Sequence, residues 1–372
     1  MNSSQIGQMA QAPTSLTQGS NWVPIMHQTT LHNLSGPLTK IFLAGFLALI
    51  IAMLLTPVFT YFAYKFKFWK QMRHEALSGG EATVYEKLHA AKHRHHIPTM
   101  AGLIFVIAIS IVTLVMNFSR SQTWLPLLAL IGCSLVGLVD DIMNIRSHGR
   151  GVAGMRAPVK FVLISLIALA LGWFFWARLG WTDIYIPFIG NWHLGFWIVP
   201  VFGFAVVATG NAVNISDGLD GLSGGLAAVA FASFAGIALL EGQFGVAAFC
   251  ITVLGALVAY LWFNIFPARF FMGDTGSFAL GCSLAVVAMM TNSLFLLPII
   301  GIVFVVDTGS VIIQLIYKRL THGKKIWLST PIHHHFEAIG WPETKVTMRF
   351  WMVGAVAGVM GLVLALLGGI IR

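Results

Sequence analysis

The sequence predicts an all-α, polytopic integral membrane protein of about ten transmembrane helices. Three observations support this. Charged residues make up 9% of the 372-residue chain and hydrophobic residues 57%, whereas a soluble domain carries roughly 25% charged residues. Mean hydropathy is +0.83. Apolar runs recur at close to the ~20 residues that a helix needs to cross the hydrocarbon core. No alternation of period two marks a barrel. Backbone groups in lipid must be satisfied internally, which leaves helices. Cys133, Cys250 and Cys282 all lie inside apolar runs and read as small core residues, not as disulfide partners or metal ligands.

Residues 1–38 are polar and rich in Ser, Gln and Thr. They lack the charged and then apolar regions of a signal peptide, so they read as a flexible extension. Residues 39–372 form one transmembrane domain. Its expected spans are 41–64, 99–117, 123–139, 158–177, 194–213, 222–240, 245–264, 277–292, 294–317 and 347–371. Lys and Arg then set the orientation. Of 22 such residues, all but Lys40, Arg120, Arg178 and Arg372 fall in alternate connections on one side. That side is expected to be cytoplasmic, with both termini outside. These cations could serve topology alone, or could also hold anionic head groups and phosphates.

Five of the thirteen acids fall in three short stretches. LVDDIMN holds Asp140 and Asp141, SDGLDG holds Asp217 and Asp220, and FMGDTGS holds Asp274. Each stretch follows an inward-running span, so all three are expected to meet at the cytoplasmic boundary. Any one alone could be a helix cap. Five converging carboxylates call for a cation, and hard oxygen ligands suit Mg²⁺, which binds one or two carboxylates and keeps positions for phosphates. Neighbouring side chains on a helix diverge by about 100°. One acid of the Asp140–Asp141 pair is therefore expected to face metal or substrate while the other orients it. Repulsion between the pair could also make one a usable base.

Gly273 and Gly276 flank Asp274 and permit close approach of a ligand. The following helix offers free N–H groups to an anion. Phe270 and Phe271 read either as a stacking surface for a nucleobase or as interfacial aromatics. In the last inward connection, His333, His334 and His335 read either as metal ligands or as contacts to phosphate and sugar. Three adjacent imidazoles do not readily face one ion, and no cysteine is near. His93, His95 and His96 decorate a basic loop in which Arg94 could bind phosphate. Asp307 lies inside the ninth span, where an ionisable group is a functional candidate. Gly309 follows it and is expected to break the helix there, and a structural hydrogen bond is the alternative reading for Asp307. Clustered carboxylates, basic loops and glycine-rich turns at a membrane face suggest phosphoryl transfer between a soluble nucleotide and a lipid, with magnesium polarising the diphosphate.

These motifs resemble the signatures of a known family. LVDDIMN, NAVNISDGLDGL and FMGDTGSFALG are similar to those of the polyprenyl-phosphate N-acetylhexosamine-1-phosphate transferases. TPIHHHFEAIGWPETKVTMRFW resembles the final loop of the phospho-N-acetylmuramoyl-pentapeptide transferase branch, and IPTMAG resembles its early PTMGG loop. The likeness spans residues 40–372. It implies transfer of phospho-MurNAc-pentapeptide from UDP-MurNAc-pentapeptide to undecaprenyl phosphate, giving lipid I and UMP. It also implies Mg²⁺, a multi-pass position in the bacterial inner membrane, a cytoplasmic site, a homodimer and no nucleic-acid partner.

By the same resemblance, Asp140 and Asp141 are a catalytic pair, with Asp140 the base toward the lipid phosphate. Asp274 is the magnesium-linked carboxylate, with Asp140 and Asp141 as further metal candidates. Asn214, Asp217 and Asp220 line the site, Phe271 stacks on uracil, and His333, His334, His335, Thr99 and Arg94 contact substrate. Two positions depart from the branch. Asn144 stands where a lysine is frequent and removes a phosphate partner. Arg94 replaces an early lysine, keeping the charge with different geometry. A UDP-GlcNAc transferase is the near rival. A secondary transporter, with Asp307 on its pathway, is the rival from another class, although transporters place their key polar groups near the midplane in repeated halves.

Overall fold

A computed structural model describes residues 22–69, 97–119, 121–146 and 154–370. By contact the chain divides into two units, residues 1–40 and 41–372. In the first, the backbone is helical from Trp22, and the Thr39 hydroxyl donates to the Ser35 carbonyl one turn back at 2.7 Å. The first half of the polar extension, with Arg94 and His93, His95 and His96 of the early basic loop, lies outside the described residues.

The fold is helical throughout, as the composition requires. Its helices are α1 (Trp22–Lys65), α2 (Gly102–Met116), α3 (Trp124–Arg146), α4 (Ala157–Ala177), α5 (Ile198–Ile215), α6 (Leu222–Leu240), α7 (Phe244–Asn264), α8 (Gly273–Met290), α9 (Leu297–Ile300), α10 (Ile302–Leu320), α11 (Ile332–Ala338) and α12 (Glu343–Leu367). Among the described residues, eight helices are long and apolar enough to cross a membrane. Helix α2, at 15 residues, is a shorter apolar helix. Leu294–Ile300 and Ile302–Leu320 qualify only as a pair, bent by 80° at their junction, which is the geometry of a broken span or a re-entrant loop. Each of the ten expected segments therefore corresponds to one helix or one bent pair.

The bend departs from expectation. It falls at Gly301 and not at Gly309, which lies inside α10. A lone glycine weakens a helix by about 1 kcal/mol, too little to break one whose other residues favour it. An antiparallel hairpin also joins α4 to α5, pairing Asp183 with His193 and Ile186 with Gly190. Each strand has only four residues, too short for a period-two pattern to stand out.

Helix α8 is the hub. Some 94% of its spanning window is buried inside the protein, against 28% for α4 and for α12. Its sequence, GDTGSFALGCSLAVVAMM, is rich in small residues. In lipid these let backbones approach closely, and dispersion does the work that water does elsewhere. A Cβ on Gly281 would stand 2.6 Å from the Thr209 carbonyl oxygen of α5, and one on Gly276 would stand 2.6 Å from the Phe105 ring of α2. On α3, a Cβ at Gly137 would fall within contact distance of the Asp274 carbonyl. Gly137 thus sets how near α3 comes to the first turn of α8. We expect Gly137→Ala to destabilise the protein by about 1–3 kcal/mol through overpacking, measurable as a lowered melting temperature in detergent.

Candidate active site

The three acidic motifs meet at one end of the bundle. Asp140 and Asp141 lie in the last two turns of α3, and Asp274 lies in the first turn of α8. The pair divides as the 100° step between neighbours requires. The Asp140 carboxylate accepts a hydrogen bond from the Met155 amide at 2.6 Å, and its other oxygen meets the Lys160 ammonium at 3.0 Å. The same ammonium contacts Asp274 at 2.5 Å. Lys160 therefore bridges two carboxylates from different helices. Asp140 is nearly fully buried, while the Lys160 and Asp274 side chains keep 16% and 13% of their surface open, so this cluster has one accessible edge.

Asp141 is fully buried and turns the other way. It accepts the Thr275 amide at 2.9 Å and the Thr275 hydroxyl at 2.8 Å. The first amides of a helix have no partner within it, and α8 has no side-chain cap of its own at Met272. Asp141 supplies that cap from α3, with its charge at the favourable end of the helix dipole. Gly273 makes this possible. Its φ is +69°, and a Cβ there would run into the Asp141 carboxylate and stand 2.7 Å from the Thr99 hydroxyl. The Thr99 hydroxyl is buried and has no hydrogen-bond partner among the described residues. Its loop is held by backbone bonds from Phe271 N–H to the Pro98 carbonyl and from Ala101 N–H to the Phe271 carbonyl, at 2.8 and 3.0 Å.

Helix α5 ends at Ile215, and a turn follows to Gly221, whose φ is +74°. Asn214 donates to the Ser277 hydroxyl of α8 at 2.8 Å, which ties the end of α5 to the site. Asn211 instead bonds its own helix at the Val207 carbonyl. Asp217 is half-buried within the turn. Asp220 is buried, and its carboxylate accepts the Ala268 amide at 2.9 Å while its own amide donates to Glu343 at 2.6 Å. These bonds clasp the turn to the loop before α8 and to the start of α12.

The aromatic pair separates. Phe270 is buried and packs edge-on against Phe59 and at a tilt on Tyr260 and Phe263. Its stacking reading is thereby excluded. Phe271 is half-buried. The histidines do not lie in a loop but form the short helix α11. His333 and His334 are buried, and a Cβ on Gly218 would clash with Nε2 of His333 and stand 3.0 Å from Nε2 of His334. His335 turns away, its Nδ1 accepting the Leu328 amide at 3.3 Å. The structure therefore gathers Asp140, Asp141, Asn214 and Asp274 around the first turns of α8, with the unpartnered Thr99 hydroxyl close to Gly273. It packs the Asp217 turn against two of the three histidines. Asn144, four residues after Asp140, is buried on α3.

Lys160 was counted among the topology-setting cations and not singled out. Its signal was present: in APVKFVLIS it stands inside an apolar span, where an unneutralised charge is costly. Thr275 and Glu343 carried no comparable signal, since a cap and a clasp depend on tertiary approach.

Fold and site together define a polytopic membrane protein with a carboxylate–lysine cluster where its helix ends meet, and its relatives make it a phosphosugar transferase. Residues 123–292, which contain all three acidic motifs, match the family model described as glycosyl transferase family 4. A phospho-N-acetylmuramoyl-pentapeptide-transferase of Geobacillus sp. (strain WCH70) is 38% identical over 326 residues, 86% of this chain and 96% of the relative. One of Anoxybacillus flavithermus is 39% identical over 87% of this chain and 96% of its own. One of Lactobacillus helveticus is 42% identical over 71% and 82%. The chain belongs to the phospho-N-acetylmuramoyl-pentapeptide-transferase family.

Replacing Lys160 by Met leaves Asp140 and Asp274 facing each other without their shared cation. We expect this to cost about 2 kcal/mol, less than the ~3–5 of a fully buried pair because solvent reaches the edge. Adding Asp274→Asn should recover part of the loss, as read from thermal unfolding of the single and double variants.

Proposed function

We propose that this protein transfers phospho-MurNAc-pentapeptide from its UDP-linked donor to undecaprenyl phosphate, yielding lipid I and UMP in peptidoglycan synthesis. The observation that carries the reading is the Asp140–Lys160–Asp274 cluster at the junction of three acidic motifs, in a chain whose relatives bear that activity in their names. The one-sided Lys and Arg distribution supports a cytoplasmic site, with both termini on the outer side of the bacterial inner membrane. The soluble donor would then arrive from water and the acceptor from the bilayer. A homodimer is part of the same proposal.

Among the described residues no three His, Cys, Asp or Glu side chains form a metal cage, so a hard divalent cation would rest on two carboxylates and on oxygens of the substrate. Two carboxylates already accommodate one cationic group between them, the Lys160 ammonium. Asp274 and Asp140 would hold Mg²⁺, with donor phosphates completing its oxygen shell. When bound, the ion neutralises and polarises the diphosphate.

The chain's own residues do the rest. An oxygen of the lipid phosphate forms a bond to the sugar-bearing phosphorus, and the bond from that phosphorus to the UMP oxygen breaks. Asp140 accepts any proton remaining on the lipid phosphate and fixes the direction of attack. Lys160 sets the position of Asp140 and offers charge to phosphate oxygens. Thr99, with its unpartnered buried hydroxyl, points to a contact with donor or acceptor phosphate. Phe271 supplies a stacking face for uracil. Asn214 and Asp217 border the nucleotide, while Asp220 holds the turn that carries Asp217. Arg94 would bring a further phosphate contact from the early loop. The His333–His335 helix closes the nucleotide-sugar side.

The test supplies purified protein with Mg²⁺, undecaprenyl phosphate and either UDP-MurNAc-pentapeptide or UDP-GlcNAc, and measures UMP. Release with the muramoyl donor only is expected, and chelation of the metal should abolish it. Release with UDP-GlcNAc alone would move the protein to the rival branch, and flux through liposomes without UMP would mean transport. Asp274→Asn should lower turnover by about a hundredfold or more with the helical fold retained, read by circular dichroism. Near-normal turnover in that variant would remove its metal role.

A further inference from the structure

Asp307 has no part in the chemistry above, yet it is fully buried within α10, just past the 80° bend. Its Oδ2 lies 3.0 Å from Nδ1 of His333, which is also fully buried. The remaining Asp307 oxygen and Nε2 of His333 have no hydrogen-bond partner among the described residues. A buried polar pair with such unsatisfied atoms is costly when its only role is to hold the fold. A carboxylate acceptor at Oδ2 pairs with a hydrogen on Nδ1 of His333, and that arrangement leaves Nε2 as the outer edge of the ring.

That edge faces the substrate turn. A Cβ on Gly218 would collide with His333 Nε2 and stand 3.0 Å from His334 Nε2. The two imidazoles meet edge to face with centroids 4.2 Å apart. His334 is braced in the same manner, its Nδ1 lying 2.7 Å from Glu337. Two carboxylate–imidazole pairs thus direct their outer nitrogens at one residue of the turn that bears Asp217 and Asp220. Such carboxylate braces fix ring orientation and tautomer.

We infer that Asp307 is a positioning residue that acts on the nucleotide-sugar side of the site through His333. This rests on the transferase reading above. It assigns a mechanistic purpose to the bent helix pair: α10 carries a carboxylate to the histidine helix, and the histidine sets the place of the Asp217 turn.

The experiment is a double-mutant cycle on the full-length protein. Asp307→Asn, Asp307→Glu, His333→Gln and the combined variants are assayed with the donor that the wild type turns over. Wild-type turnover, established first, separates failure of the transferase reading from failure of this one. Asp307→Asn should lower kcat/KM for the nucleotide sugar roughly 10- to 100-fold, the range for loss of such a brace. The KM for undecaprenyl phosphate should stay unchanged, and Asp307→Glu should recover part of the loss. In a His333→Gln background the Asp307 substitution should cost nothing further. Should Asp307→Asn not fold, the cycle is read with Asp307→Glu. An equal cost with and without His333, or an effect on the lipid KM instead, overturns the assignment.

Discussion

One ammonium between two carboxylates organises the site. Lys160, Asp140 and Asp274 come from α4, α3 and α8, and their contacts at 3.0 and 2.5 Å draw three helix ends to one place. Two ionised acids this close repel strongly in a poorly solvated setting, and the ammonium between them offsets that repulsion. The neighbouring Asp141 completes the join by capping α8 from α3. The rest of the bundle supports this arrangement. The small residues of α8 let α2, α3 and α5 approach its backbone, and the loops before and after the spans are clasped by Asp220, Glu343 and Asn264.

The placement at helix ends follows from the solvent. A carboxylate at mid-bilayer is expensive and one at the boundary much less so. A reaction that joins a water-soluble donor to a lipid acceptor needs charged groups at that boundary. Asp307 is the exception, lying within α10. It is placed there with a histidine partner, which is how intramembrane ionisable groups are normally accommodated.

Much of this was legible in the residues. Apolar run lengths located every long helix, because lipid leaves little choice of secondary structure, although among the described residues eight helices, or nine with the bent pair, are long enough to span. The acids and glycines at the ends of three spans were expected to converge, and they do meet at one end of the bundle. The glycine-shaped turn after Asn214 was also expected, since Gly218 and Gly221 weaken a continuous helix. What escaped was tertiary. Phe270 and Phe271 are adjacent and chemically alike, and only packing buries the first in the core while leaving the second half-exposed. Lys160 looked like one topology cation among many until its two partners were in view. The 80° bend was expected near Gly309 because that glycine follows an acid, whereas the chain bends at Gly301, between two helices that each close on their own hydrogen bonds.

Gly273 has a consequence at the level of the gene. Its left-handed backbone and its closeness to Asp141 and Thr99 leave no room for a side chain. Every amino-acid change that a codon for glycine can undergo adds a Cβ. Drift at this position is therefore closed in all directions, not merely narrowed. A side chain at residue 273 could enter only if Asp141 and Thr99 both gave way, so change at this one codon is tied to change at two others.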